Sequence, residues 1–370
     1  MTDAAGRQAR RGSRARRNQD QRRGGIIHLG LGFLAAQDYL HKMTSLTPLG
    51  ICLSPALDDL TPVPATWVET ASAAGLVLAE DICLPHNLPS ATEALRAGFA
   101  VAALDLVGAS AGAPVPLADP VRVVPGGALP QGTDAILPED GTDTASGLCE
   151  AIRPVSPGDG VRRTGHDGRT GDVIAPAGTK LTSRHILIAG KAGITRIATR
   201  QPRVAIAFDD PAQTAFARGW FAGLGACVVD GPADLTLRAT TDHTPRLALA
   251  PAETAWLAPT GAGLLLTVPA RFDGMVAACL GLALPVMARL TGAAPQTRTR
   301  PLARKLTSTV GLSELVLLSE QDGQWLPGPA GILALSDLAT ACAFAILPPD
   351  SEGMPAGASL SATPFDLPFG

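Results

Sequence analysis

The chain has 370 residues, with 30 lysines and arginines against 33 aspartates and glutamates, and 46% of its residues are hydrophobic. That length exceeds one compact core and predicts two or three domains, and no uncharged apolar run approaches the roughly 18–20 residues of a membrane-spanning helix. Six cysteines, Cys52, Cys83, Cys149, Cys227, Cys279 and Cys342, lie far apart without a C-x-x-C pair; this argues against a zinc knuckle or a disulfide framework and fits a reducing cytoplasm.

Charge is unevenly distributed. Arg7, Arg10, Arg11, Arg14, Arg16, Arg17, Arg22 and Arg23 crowd the first 24 residues, and the remainder is distinctly acidic. A basic arm can bind nucleic acid, but this one has no aromatic residues for stacking. It is read as a disordered tail, and nucleic acid is not an expected partner. Residues 1–42, before Met43, are set apart as this tail and a weakly helical segment, 26–41, to which no function is assigned.

From Thr61 the run V-P-A-T-W-V-E-T-A-S-A-A-G predicts a helix stopped at Gly75, followed by extended L-V-L-A-E-D-I-C-L-P. Residues 105–150 read as short strands between Gly/Pro turns. A Gly/Pro-punctuated region, Val155–Leu181, follows. T-S-R-H-I-L-I-A-G-K-A-G then predicts a helix ending near Gly190 or Gly193, and R-V-A-I-A-F a buried strand opening onto Asp209 and Asp210. Ligands of α/β sheets bind at such strand ends, while Asp210 before Pro211 also reads as a helix N-cap. Thr240-Thr241-Asp242-His243 is read as a surface turn. Asp322-Gly323 predicts a hairpin, a helix is expected around Ser336–Ala345, and a strand A-F-A-I-L-P follows.

Several of these stretches resemble the molybdopterin molybdenumtransferase family, proteins related to the gephyrin E domain. A-A-G-L-V-L-A-E-D-I-C-L-P-H-N-L-P resembles the family's opening, and V-x-P-G-x-x-V-R-R-x-G-x-D-x-x-x-G-D-V-I-A-P-A-G-T-x-L, within 155–181, matches it at many fixed spacings. The resemblance covers roughly residues 61 to 370. It implies a mixed α/β and β, multi-domain, elongated fold. The expected parts are a helical/linker domain from 43–90 and 155–200, an inserted β-rich domain at 91–154, a shortened doubly wound α/β molybdopterin-binding-like domain at 201–295, and a C-terminal β domain at 296–370.

The same resemblance implies insertion of molybdate into adenylated molybdopterin with release of AMP, a magnesium ion, a pterin ligand and a homodimer. The family's S-A-M-D-G-Y-A-V appears as Ala94-Leu95-Arg96-Ala97-Gly98-Phe99-Ala100-Val101, so its aspartate is Ala97. Its T-G-A-P turn is Pro125-Gly126-Gly127-Ala128, with Gly132, Asp134 and Glu139 following. G-E-D is Gly165-His166-Asp167, S-T-G-D-E is Phe208-Asp209-Asp210-Pro211-Ala212, and of L-P-G-N-P only Pro269 remains, before Ala270 and Arg271. The Gly-rich phosphate loop has no counterpart.

Expected site residues are therefore Asp167, as a magnesium ligand or an Asx turn, and Asp209 and Asp210 at the cleft mouth. Gly126, Gly132, Asp134, Glu139, Arg163, Arg271 and Arg304 are the expected ligand contacts. Two readings stay open. One is a divergent member that binds a molybdopterin-type ligand or assists maturation of a molybdoenzyme, alone or with another cofactor-biosynthesis protein. The other is an active magnesium-dependent transferase.

Overall fold

A computed structural model describes residues 46–366, 368 and 369; the arginine-rich tail and segment 26–41 lie outside them. The fold is mixed α/β, multi-domain and rich in short strands. It divides into two compact units. One contains Val63–Gln201 with Thr291–Ala294, and the other the described residues up to Pro62, Pro202–Leu290 and the chain from Pro295 onward.

The unit around Val63–Gln201 is a set of small sheets. Arg196–Arg200 pairs antiparallel with both Thr66–Glu69 and Val77–Leu78. The helix expected before Gly75 is thus corrected. Thr66-Trp67-Val68-Glu69 is a strand, and only Thr70–Ser72 makes a short 3₁₀ turn. A helical spacing of apolar residues here coincides with a β-branched and aromatic run, and cross-strand pairing decides the outcome. Gly75 still ends the segment, at φ 86°, where a side chain is disfavoured. Gly98–Val101 lies between Val121–Val123 and Ala135–Leu137, and buries Ala100 and Val101 with Ile136 and Leu137. Helix Ser183–Lys191 starts at Thr182, whose backbone N–H donates to His185 Nδ1 at 3.1 Å. Burial, and next the charge of Arg184, push the His185 pKa down. The same direction agrees with Nδ1 accepting from the Thr182 N–H.

The other unit holds a five-stranded sheet in the order Cys227–Val229, Arg203–Ala207, Leu235–Thr240, Gly263–Pro269 and Trp256–Thr260. The first four are parallel and the last is antiparallel. Helix Pro211–Gly223 follows the strand Arg203–Ala207, as βαβ geometry requires. The helical stretch Phe272–Thr291 is long and apolar enough by length and composition to cross a membrane, but it is mostly buried inside the protein. Its middle, Cys279–Ala283, widens to a π-turn. Pro285 supplies the cause, since its ring would collide with the carbonyl four residues back, at Gly281, in a regular helix.

A seven-stranded sheet completes this unit. It includes Leu247–Ala250, Ser313–Gln321, Ala343–Leu347, Ser359–Pro364 and Arg298–Pro301. Asp322 and Gly323 take φ values of 50° and 76° at the tip of the expected hairpin, the conformation a two-residue primed turn needs. The expected helix 336–345 is shorter than the sequence suggests. It spans Leu335–Thr340, and Ala343–Leu347 is a strand that pairs with residues 314–318 and buries Ala343, Phe344 and Leu347.

Candidate functional site

A cavity of roughly 400 Å³ opens at the carboxyl ends of two adjacent parallel strands, Leu235–Thr240 and Gly263–Pro269, where Thr240 pairs with Pro269. This size suits a small ligand, and the location obeys the rule for open α/β sheets. Its walls are mainly apolar, with Leu46, Pro245, Pro251, Pro269 and Leu312 contributing. The ionisable groups facing it are His243, Glu253 and Arg271.

Arg271 is the N-cap residue of the helix that begins at Phe272. Its Nε lies 3.2 Å from Asp273 Oδ1, and Nη2 donates to the Pro251 carbonyl at 3.4 Å. These two partners fix the stem of the fork near a helix start that itself favours anions. Glu253 is anchored through its backbone carbonyl, which accepts the N–H groups of Arg246 at 2.7 Å and Leu247 at 2.9 Å. Burial pushes the Glu253 carboxyl up. Its backbone hydrogen bond and Arg271 pull it back in part, whereas Asp273 adds to the rise.

The helix Phe272–Ala278 lies directly behind the wall. A Cβ on Gly274 would fall 2.7 Å from both Cβ and Cγ of Pro269, and 2.8 Å from the Pro251 carbonyl oxygen. Glycine is what allows this helix to back the cavity so closely.

Asp210 caps helix Pro211–Gly223, its Oδ1 accepting from the N–H groups of Ala212 at 2.7 Å and Gln213 at 3.2 Å. These bonds hold its carboxyl below the ordinary range. Its Oδ2 also accepts from Gln213 Nε2 at 3.2 Å, and the same amide donates to the Ala270 carbonyl at 2.9 Å. Asp210 therefore stands one side chain behind the cavity wall. Asp209 is exposed after the strand Arg203–Ala207. Arg304 faces elsewhere in the same unit, donating from Nε to the Pro327 carbonyl at 3.1 Å and lining a hollow of about 130 Å³ with Asp337 and Thr340.

The remaining expected residues belong to the unit around Val63–Gln201. Gly126 and Gly132 turn the chain at φ 82° and 86°. Gly126 N–H donates to the Ala94 carbonyl at 2.8 Å. Asp134 Oδ1 accepts from Ala103 N–H at 2.8 Å, and Glu139 pairs with Arg122. Arg163 is exposed and covers Gly158. Asp167 accepts from Arg162 Nη1 at 3.2 Å.

A magnesium site needs several oxygen ligands free to face one point. The donor set here does not fit it, because Ala97 offers no ligand, Asp167 is engaged by a guanidinium, and Asp134 and Glu139 have protein partners. Among the described residues no group of three or more His, Cys, Asp or Glu side chains converges on a common point.

Glu253 and His243 are the ionisable cavity residues that the sequence pattern missed. Glu253 sits in an unremarkable P-A-E-T turn, and no local spacing marks it. His243 reads as a surface turn and is exposed, with Asp242 beside it tied to Arg246.

Comparison with known proteins adds lineage. The family model of the MoeA N-terminal region (domain I and II) matches residues 37–193. The molybdopterin molybdenumtransferase of Haemophilus influenzae is 33% identical over 156 residues, 37% of this chain and 37% of that protein. That of Bacillus subtilis is 28% identical over 138 residues, 31% and 32% of the two chains. The chain thus spans about a third of the length of the curated relatives it matches. A crystal structure of the molybdopterin biosynthesis MoeA protein from Pyrococcus horikoshii superposes with a TM-score of 0.67 at 20% identity, over 86% of this chain and 100% of that one.

Proposed function

We propose that the chain, whose residues 37–193 match the family model of the MoeA N-terminal region, is a member of the MoeA/gephyrin-like family and serves molybdenum cofactor biosynthesis as a binding member. In this reading it holds a molybdopterin-type ligand in the cavity beside Arg271 and performs little or no metal insertion. The observation that carries the second half is the engagement of the carboxylates: Asp167 with Arg162, Glu139 with Arg122, Asp134 with the Ala103 N–H, and Asp210 with the start of its helix. A carboxylate so occupied is poorly suited to hold a catalytic cation. Fold alone never guarantees chemistry.

The first half rests on the cavity's chemistry. Apolar walls suit a flat ring system, and the Arg271 fork, set at a helix start, suits the ligand's phosphate through charge-assisted hydrogen bonds. A homodimer in the cytoplasm, handing its ligand to a molybdoenzyme or to another cofactor-biosynthesis protein, belongs to the same proposal.

Arg271→Ala tests it. Loss of a charge-assisted contact of about 1.5–3 kcal/mol predicts an affinity for molybdopterin lower by about ten- to hundredfold, measured by fluorescence titration at fixed ionic strength. Arg271→Lys should recover only part of the loss, because it lacks the fork. Equal affinity in the wild type and both variants would remove the cavity from the account.

A further inference from the structure

Glu253 puts a carboxylate into a cavity whose walls are mainly apolar, a group that neither the phosphate contact of Arg271 nor those walls account for. It sits in the turn between strands Leu247–Ala250 and Trp256–Thr260. The Ala252 N–H donates to the Leu249 carbonyl at 2.8 Å and the Ala255 N–H to the Ala252 carbonyl at 2.9 Å, while the Glu253 carbonyl accepts from Arg246 and Leu247. Ala252 and Ala255 are completely buried on either side. Glu253 is half-buried, so its side chain meets the cavity from a backbone that is pinned. Among the described residues no side chain hydrogen-bonds to its carboxyl. The Glu253 N–H does so, and Arg271 and Asp273 act on the carboxyl through charge. Acceptor capacity is therefore left over for a ligand.

We propose that Glu253 reads the ring of the ligand, accepting two parallel hydrogen bonds from the donor edge of a 2-amino-4-oxopyrimidine, its ring N–H and the adjacent amino group, while Arg271 takes the anionic end. This deepens the ligand reading and rests on the cavity being the ligand site. A carboxylate matches this edge as it matches a guanidinium, with two acceptors facing two donors. The same edge, fused to a second ring, occurs in pterins and in guanine, and the walls at Pro245, Pro251 and Pro269 suit the flat faces of either. Burial is the largest influence on the Glu253 carboxyl and opposes its charge. Donors brought by a ligand replace the hydration that burial withholds.

Two ligand pairs that differ at this edge test the assignment. They are pterin-6-carboxylate against its pteridine-2,4-dione counterpart, and guanosine monophosphate against inosine monophosphate, each titrated into the full chain. In the pair that fits, the amino-bearing member should bind at least about tenfold more tightly, because the other leaves the carboxylate short of a donor. Glu253→Gln should erase that preference, whereas Arg271→Ala should weaken both members alike, since the anion is common to them. The pair that shows the preference identifies the ring system. Molybdopterin should bind Glu253→Gln at least about tenfold more weakly than the wild type. Should the glutamine chain not fold, the comparison within pairs in the wild type stands without it. Equal affinity within both pairs in the wild type, a preference that survives in Glu253→Gln, or wild-type affinity of Glu253→Gln for molybdopterin would overturn the role of Glu253 and leave the cavity as the ligand site. No saturable binding of any of these ligands would overturn both.

Discussion

Gly274→Ala will destabilise the protein by about 1–3 kcal/mol, the ordinary cost of overpacking, and will weaken ligand binding in the same molecule. Helix propensity alone predicts the opposite sign, since alanine in a helix interior is favoured over glycine by about 1 kcal/mol. The contacts decide. The added Cβ would approach two carbons of the Pro269 ring to 2.7 Å and the Pro251 carbonyl oxygen to 2.8 Å. Neither a proline ring nor a backbone carbonyl can rotate away. Relief has to come from moving the helix or the cavity wall, and both proline residues line that wall. Gly281→Ala is the matched comparison. Its Cβ would meet Leu249 Cδ2 at 2.8 Å, the far end of a flexible side chain, so the loss should be smaller and ligand affinity should hold. Urea denaturation of the two variants, with a ligand titration of each, separates these outcomes. A Gly274→Ala chain as stable as the wild type would show that the helix is not held against the wall.

Trp325→Ala should produce a larger loss, about 3–5 kcal/mol, as removal of a large core aromatic does. The indole is 1% exposed and is buried with Leu302, Leu306, Val316, Leu318 and Leu360. Its Nε1–H donates to the Leu360 carbonyl at 3.0 Å. The Arg300 guanidinium lies 5.1 Å from the ring centroid and is held by Glu320 at 2.6 Å, a cation–π geometry. Truncation therefore opens a cavity, leaves the Leu360 carbonyl short of its donor, and releases Arg300. Trp325→Phe keeps most of the apolar area and loses the donor, so about 1–3 kcal/mol is expected. Chemical denaturation of both variants should rank them in that order. An alanine variant within 1 kcal/mol of the wild type would mean that this sheet is not packed around the indole.

How much of this was legible beforehand depended on whether the cause was local. Asp322-Gly323 predicted a hairpin because positive φ at two successive positions is a property of those two residues. Asp210-Pro211 likewise predicted a helix start, since a cap and a preset φ act within one turn. The run from Val155 to Leu181 carries the lineage because most of its glycines mark turns at a backbone conformation that other residues adopt at a cost. Gly158, Gly160, Gly165, Gly171 and Gly178 all have positive φ.

Causes that act across long sequence separations were not legible. Thr66–Glu69 has a helical spacing in the sequence, and its strand state is set by its partner, Arg196–Thr199, more than 120 residues away. The cavity draws on residues from Leu46 to Leu312, and no window of sequence brings Glu253 next to Arg271. Asp167 was readable as an acid in a family position. Its engagement by Arg162 depends on a strand register with Glu93 and on the course of a turn. Motif reading finds residue types and their order, whereas the charge state of a site is set by which neighbours the fold supplies.

One assay tests binding with little or no turnover directly. The purified full chain is incubated with adenylated molybdopterin, molybdate and Mg²⁺, and AMP is quantified by chromatography alongside retained pterin. The pterin ligand is expected to stay with the protein, and AMP to rise little or not at all above the protein-free control. Catalytic AMP release that Arg271→Ala abolishes would contradict it and would make the chain an active transferase.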